Sequence, residues 1–467
     1  MNPSAPTNAH NAASEAEALR ERMLGEVITP TSDGYDEARV IFNAMIDRRP
    51  ALIAKVAHRR DVAEALAFAR ERALPVSVRN GGHSVAGAGL VEDGVVIDMR
   101  RMNSLVVDPV SRIATVAGGA TWGDFDAATQ PHSLAATGGR VSTTGVAGLT
   151  LGGGSGWLER KLGLACDALE QVTLVTAEGE TVVASESQNE ELFWALHGGG
   201  GNFGVVVEMR FRLQPLAATT LGFLTWSPEQ LPELARRYRD MIEADAPEEL
   251  GGGLLCVTGP DEEFIPEHLR GKLTAAVVAV YAGTEDEARE ALTPVLELAP
   301  EGTLLTEMPY AAIQSALDDP PGFRNYWSAE HLSELPDAAL DSYCERAHEM
   351  PMPSASQHIL FPGGGAAARG SGDWPLPWRT APWTVHPLGL WEDPADDERG
   401  IAWARSLCED MRPYATGDVY LNFVGDEGDE RVQAGYGGSN LERMTAVKTQ
   451  FDPDNVFNLH HNIKPAG

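Results

Sequence analysis

Positive charge and cysteine are both scarce in this chain. Lys and Arg number 36 against 68 Asp and Glu, a formal net charge of −32. So anionic a surface repels phosphate backbones, which makes nucleic acid and acidic membranes poor partner candidates. The four cysteines, Cys166, Cys256, Cys344 and Cys408, lie far apart and form no CxxC pair. That spacing argues against a structural zinc site and against a disulfide scaffold. No apolar run approaches the roughly 18 residues of a membrane span, and no charged-then-apolar segment opens the chain; a soluble, cytoplasmic protein is expected. There is no G-x-x-x-x-G-K-[ST] and no H-E-x-x-H, so a Walker nucleotide site and a zincin site are both unsupported. The pair His460–His461 reads as a polar surface pair, and no metal is expected.

What the chain does have is glycine, 48 residues in 467, many of them clustered. A hydrophobic content of 43% is enough for two or three domains around a large core. Residues 1–25 read as a flexible N-terminus, although Ser14 with Glu17 makes a capping box for a short helix through Leu24. Tyr35 to Met45 reads as a second helix. From 26 to 215 short strands and helices mix without a strict βαβ repeat, which predicts an α+β domain. From 216 to 416 the order becomes strand, helix, strand, strand, helix, which suits an antiparallel sheet backed by helices. Trp327, Trp374, Trp378, Trp383, Trp391 and Trp403 crowd the later part of this stretch. Residues 417–467 return to a strand (DVYLNF) and a helix (NLERMTAVKTQF).

Three glycine-rich loops lie in the first 215 residues. The first, RNGGHSVAGAG, directly follows a strand and contains Arg79, Asn80, Gly81, Gly82, His83, Ser84 and Gly87. Its paired glycines let successive N–H groups aim at one point, an anion nest suited to phosphate oxygens, with an imidazole beside it. Taken alone it reads equally as a tight turn carrying an exposed histidine. The second loop holds Gly138, Thr143, Thr144, Gly145, Gly148 and Leu149, then Gly152, Gly153, Gly154 and Gly156 ahead of Trp157 and Leu158. Each ordered glycine carries an entropic cost, and close approach to a large flat ligand is the usual reason for such a run. The third, HGGGGNFGVV, has a literal G-x-G-x-x-G at Gly199, Gly201 and Gly204, running into Val205 and Val206. Here a helix precedes and a strand follows, the reverse of the dinucleotide fingerprint, so a Rossmann site is rejected.

Together RNGGHSVAGAG, TTGVAGLTLGGGSGWLERKLGL, GGGGNFGVV and the terminal YLNF…GGSNLERMTAVKTQFDPDNVFNLHHNIKP resemble the FAD-linked oxidases of the berberine-bridge-enzyme type, within the vanillyl-alcohol-oxidase superfamily. The resemblance runs from about residue 30 to the end of the chain. It implies a PCMH-type FAD domain made from the N-terminal half plus the C-terminal segment, with a substrate domain between them whose antiparallel sheet covers the flavin ring. It makes His83 the residue joined to the 8α methyl of FAD. A second anchor, a cysteine found in many relatives, would fall in Val141-Ser142-Thr143-Thr144 and is absent, which points to the mono-covalent bacterial subgroup. The family's Tyr-x-Asn matches Tyr420 and Asn422, but Phe423 stands where some relatives carry a basic tyrosine, leaving the base unassigned. Tyr420, Asn422 and Tyr326 are the candidates for polar groups near the reacting carbon, and Tyr326, Trp327 and Trp391 for substrate contact. A buried tyrosine serves a structural hydrogen bond equally well. The implied reaction takes a hydride from a small organic molecule to flavin N5, with O2 reoxidising the flavin to give hydrogen peroxide. An oxidative cyclase or flavin-dependent oxygenase remains an alternative, as does a non-catalytic flavin carrier. A monomer or homodimer is expected.

Overall fold

The computed structural model describes residues 16–244 and 246–466. Three sheets of four or more strands organise it, beside a two-stranded pair of Leu134–Ala135 with Gln214–Pro215. The first is built on Leu52–Lys55, whose chain then crosses over through the helix Arg59–Glu71 to Val76–Arg79. Both strands run parallel to Val95–Asp98, which lies between them, while Glu26–Ile28 adds an antiparallel edge. Asp61, in the first turn of that helix, does not cap it. It is fully buried and accepts N–H bonds from Leu24, Gly25 and Ala57, while His58 caps the helix.

The second sheet is antiparallel, in the order Leu105–Asp108, Ile113–Ala117, Val205–Arg212, Leu169–Val175 and Thr181–Ser185. The strand leaving the third glycine loop is therefore its centre.

The third sheet is the largest, with eight strands between Thr220 and Trp391, all antiparallel. One face packs Leu254, Leu360, Trp383 and Val385 against the helices Leu231–Glu243, Asp337–Ala347 and Asp397–Met411. The other presents Leu255, Val278, Ile359, Phe361, Leu388 and Trp327. Strand side chains alternate between faces, so parity alone decides which of these residues meets the helices. The molecule is α+β, a two-part first domain with an inserted antiparallel sheet backed by helices.

The C-terminal residues pack back on the first core. Val419, Tyr420, Leu421, Met444 and Val447 join a cluster with Trp122, Phe193 and Phe211. Inside that contact the fully buried Lys448 ammonium donates to Asp452 at 2.6 Å and to the carbonyls of Asn202 and Phe457, both at 2.8 Å. A buried ion persists only where its hydrogen bonds are met in this way.

Several expected elements differ. The second helix spans only Tyr35–Ala38, and DVYLNF is not a strand but leads into a single 3₁₀ turn, Leu421–Phe423. Of the expected flexible stretch 1–25, residues 16–25 are described, and Ala16 and Leu19 are fully buried there; Ser14 of the expected capping box lies outside the described residues.

Candidate active site

A cavity with about 1780 Å³ of empty space, mouth included, lies between the glycine loops and the open face of the large sheet. The first loop begins as the strand Val76–Arg79 ends. The N–H groups of Gly81, Gly82, His83 and Ser84 donate to nothing among the described residues. Gly82 is held at φ +77, the left-handed conformation that glycine adopts without penalty. A Cβ on Gly81 would strike the backbone of residues 143–145, and one on Gly145 would land on the Asn80 amide, so the first two loops interlock through glycine. The Asn80 side chain donates to the Gly118 carbonyl. Gly148 and Gly201 line the cavity with open space where a Cβ would be.

His83 sits at this junction, stacked on Phe42 with ring centroids 4.1 Å apart. Its Nε2 shares a hydrogen bond of 2.8 Å with Thr143 Oγ1, whereas Nδ1 is buried with no partner. Burial pushes its pKa down to about 4, so the imidazole is neutral at ordinary pH. Four unpartnered amides, an orphaned imidazole nitrogen and glycine walls open to the cavity are what a pyrophosphate-bearing, covalently held flavin requires. The residues fit FAD.

The opposite wall comes from the large sheet. Gln357 is paired across to Leu388, and Leu388 to Trp327, which places these three in one row; Ile359 is paired with His386 in the next. Neighbouring strands are about 5 Å apart. His386 Nδ1 donates to the Ser328 carbonyl at 2.8 Å, which leaves Nε2 as an acceptor without a partner among the described residues. Burial, with the nearby Arg140 charge, holds this imidazole's pKa at about 3. Its ring stacks on Phe423 at 4.2 Å. Arg140 lies over the Phe361 ring at 4.0 Å and donates to Ser155 at 3.0 Å and Glu159 at 3.4 Å.

Not all candidate residues reach this space. Asn80 to Ser84, Thr144, Gly145, Gly148, Leu149, Trp157, Gly204, Val206, Asn422 and Trp327 line it. Thr143 acts through His83. Arg79 turns inward, its guanidinium on the carbonyls of Ala38 and Val40. Gly138, Gly152, Gly154 and Gly156 serve close packing of chain on chain: a Cβ there would strike Trp122, Asn422, Ala165 and the Gly138 carbonyl respectively. Gly87 and Gly153 sit at φ +75 and +114, in turns that need glycine, while Leu158 and Val205 are core.

Tyr420 is fully buried behind Phe423; its hydroxyl accepts from the Ser155 N–H at 3.0 Å and from Asn422 Nδ2 at 3.1 Å. Burial pushes its pKa up to about 12. It braces the wall and does not face the cavity. Tyr326 and Trp391 are on the helix side of the sheet. Tyr326 accepts from Arg405 Nε at 2.8 Å, and Trp391 donates to Asp397 at 2.7 Å with its ring against Gly400. Tyr326 is paired with Gly389, one position from the Leu388–Trp327 row, and one position along a strand is the other face. His460 and His461 are no surface pair: both line the cavity, and His461 Nε2 meets the Leu421 carbonyl at 3.0 Å. Arg140, His386, Asp319 and Gln357 carried no motif in the sequence. Strand register places Gln357 and His386 on the cavity face, and the loops holding Arg140 and Asp319 reach the same space only in the folded chain.

The fold and the glycine-lined chamber define an FAD-dependent oxidoreductase. An FAD binding domain matches residues 50–185, and a berberine and berberine like domain matches residues 419–464. An uncharacterized FAD-linked oxidoreductase of Bacillus subtilis, YgaK, is 28% identical over 462 residues, 96% of this chain and 98% of its own. The crystal structure of 6-hydroxy-D-nicotine oxidase from Arthrobacter nicotinovorans superposes with a TM-score of 0.83 at 26% identity, covering 95% of this chain and 98% of that one. Glucooligosaccharide oxidase from Acremonium strictum, with its 6-S-cysteinyl, 8α-N1-histidyl FAD, shares the fold at a TM-score of 0.84 and 22% identity, covering 98% of this chain and all of that one. The chain thus carries an FAD binding domain and a berberine-like C-terminal domain, and it is similar along nearly its whole length to FAD-linked oxidoreductases. Its cofactor is FAD. Among the described residues no helix is long and apolar enough to cross a membrane, and no cluster of three or more metal-ligating side chains occurs.

Proposed function

We propose that the protein is an oxidase of a small, largely apolar organic molecule, with FAD held through a single bond to His83. The observation that carries the attachment is the buried, unpartnered Nδ1, the one His83 nitrogen that Thr143 leaves free. FAD supplies the two-electron chemistry here, accepting hydride from a substrate C–H bond and returning the electron pair to O2 as hydrogen peroxide. The nest at residues 81–84 offers its amides to the pyrophosphate. Gly148 and Gly201 leave room for the cofactor, and Val141 on the cavity wall offers no thiol for a second bond.

The substrate's place is the face bearing Trp327, Ile359, Phe361 and Leu388. His386 Nε2 accepts a hydrogen bond there, so the preferred substrate carries an O–H or N–H beside the carbon to be oxidised. The test is anaerobic mixing of the purified protein with alcohols, amines and phenols, followed by air. Loss of the yellow colour and its return with one peroxide per substrate support the oxidase. Peroxide well below that ratio indicates cyclisation or oxygenation, and absence of bleaching across the panel overturns the reading.

A further inference from the structure

We propose that Asp319, braced by Gln357 on the cavity face of the large sheet, is an anionic subsite that selects a cationic amine as substrate. The proposal rests on the oxidase reading above and names the substrate class of that same site.

Asp319 lines the cavity, and among the described residues its one partner is neutral: Gln357 Nε2 donates to Oδ1 at 2.5 Å, leaving Oδ2 without a hydrogen bond there. The chamber's other charges are matched elsewhere. Arg140, the only Arg or Lys among the described residues lining the cavity, is taken up by Ser155, Glu159 and the Phe361 ring. The neighbouring Asp318 takes the Ser142 N–H at 2.5 Å and the Ser142 hydroxyl. His83 and His386 are neutral. A carboxyl facing an apolar chamber with no cation of its own is costly unless something pairs with it.

The row Gln357–Leu388–Trp327 spans two strand spacings, about 10 Å, so the carboxyl and the indole stand at opposite ends of one apolar strip. An aryl-alkyl ammonium spans that strip. Its N–H groups meet Oδ2, its ring lies on Leu388 and Ile359, and Trp327 closes the far end. Burial and the Asp318 charge raise the Asp319 pKa to about 7 in the absence of such a partner, while the Gln357 bond lowers it. An ammonium in contact brings it back down, so pairing and ionisation reinforce each other.

Binding to the holoenzyme decides the matter, with N-methylbenzylamine and its neutral isostere benzyl methyl ether as probes. Affinity is read anaerobically from the flavin difference spectrum, at about pH 8, where the carboxyl is ionised and an alkylammonium still protonated. The amine is expected to bind at least tenfold more tightly than the ether. Asp319→Asn erases that preference by weakening the amine alone, Asp319→Glu restores part of it, and Gln357→Leu weakens the amine with the ether unchanged. Equal binding of amine and ether to the wild type, or amine binding indifferent to both Asp319→Asn and Gln357→Leu, overturns the proposal. Failure of the oxidase reading looks different: the amine preference persists while no compound bleaches the flavin.

Discussion

His83 has one nitrogen engaged and one to spare. Thr143 Oγ1 holds Nε2, which fixes the ring and leaves Nδ1 as the free lone pair or N–H. The alternative anchor is remote: Cys166 is fully buried, does not line the cavity, and burial pushes its thiol far above the ordinary range. One bond is therefore expected. Denatured protein should keep its flavin on a gel and fluoresce under ultraviolet light after acid treatment, since a cysteinyl thioether would quench that emission. His83→Ala should release the flavin on denaturation yet still bind it when folded, because the nest amides remain. Thr143→Val should slow attachment without preventing binding. An intact-mass adduct mapping to a peptide with Cys166 would sink the assignment. This residue was legible in the sequence because a paired-glycine turn and a histidine are neighbours in the chain. Asp319 was not, because DDPP between two elements reads as an ordinary turn. His386 and Gln357 were not, because each gains its meaning from a partner strand.

At the level of the strand, parity separates two tryptophans that composition made equivalent. Trp327 and Trp391 are both more than nine-tenths buried, yet only Trp327 lines the cavity; Trp391 packs on Gly400 and donates to Asp397. Trp391→Ala should cost about 3–5 kcal/mol, as for other large-to-small changes in a packed core. A lowered Tm with KM and kcat unchanged would show it. Trp327→Ala should instead shift KM or kcat while the flavin spectrum stays intact. If Trp391→Ala changed KM at unchanged Tm, the register assigned to this strand would be wrong. The reason parity was hidden is physical. Trp383–Trp391 is buried on both faces, because one side meets helices and the other meets a chamber, so the alternation that marks a half-exposed strand is missing. The same holds for the glycines. A run such as Gly152 to Gly156 signals close approach, but whether to a ligand or to another stretch of chain depends on contacts far off in sequence, here Asn422 and Ala165.

Across the whole molecule, composition was informative about charge and silent about topology. The second sheet sets Ile113–Ala117 beside Val205–Arg212, and the C-terminal helix Gly438–Phe451 sends Lys448 to the Asn202 carbonyl; no local pattern announces such pairings. The net charge of −32, by contrast, is read directly, and it bears on which substrates arrive. A strongly anionic body draws cations toward it and raises their encounter rate, an effect that salt screens over a Debye length of about 30 Å at 0.01 M and 10 Å at 0.1 M. If the substrate is the cationic amine that Asp319 selects, its association rate should fall several-fold between those two salt concentrations, while that of the neutral ether stays flat. Asp319→Asn removes one charge of many, so it should weaken amine binding while preserving the salt slope of the association rate. Stopped-flow mixing followed at the flavin band separates the two. A slope that disappears with Asp319 would place the attraction in the pocket alone, and an ether with the same slope as the amine would remove charge from the account of substrate choice.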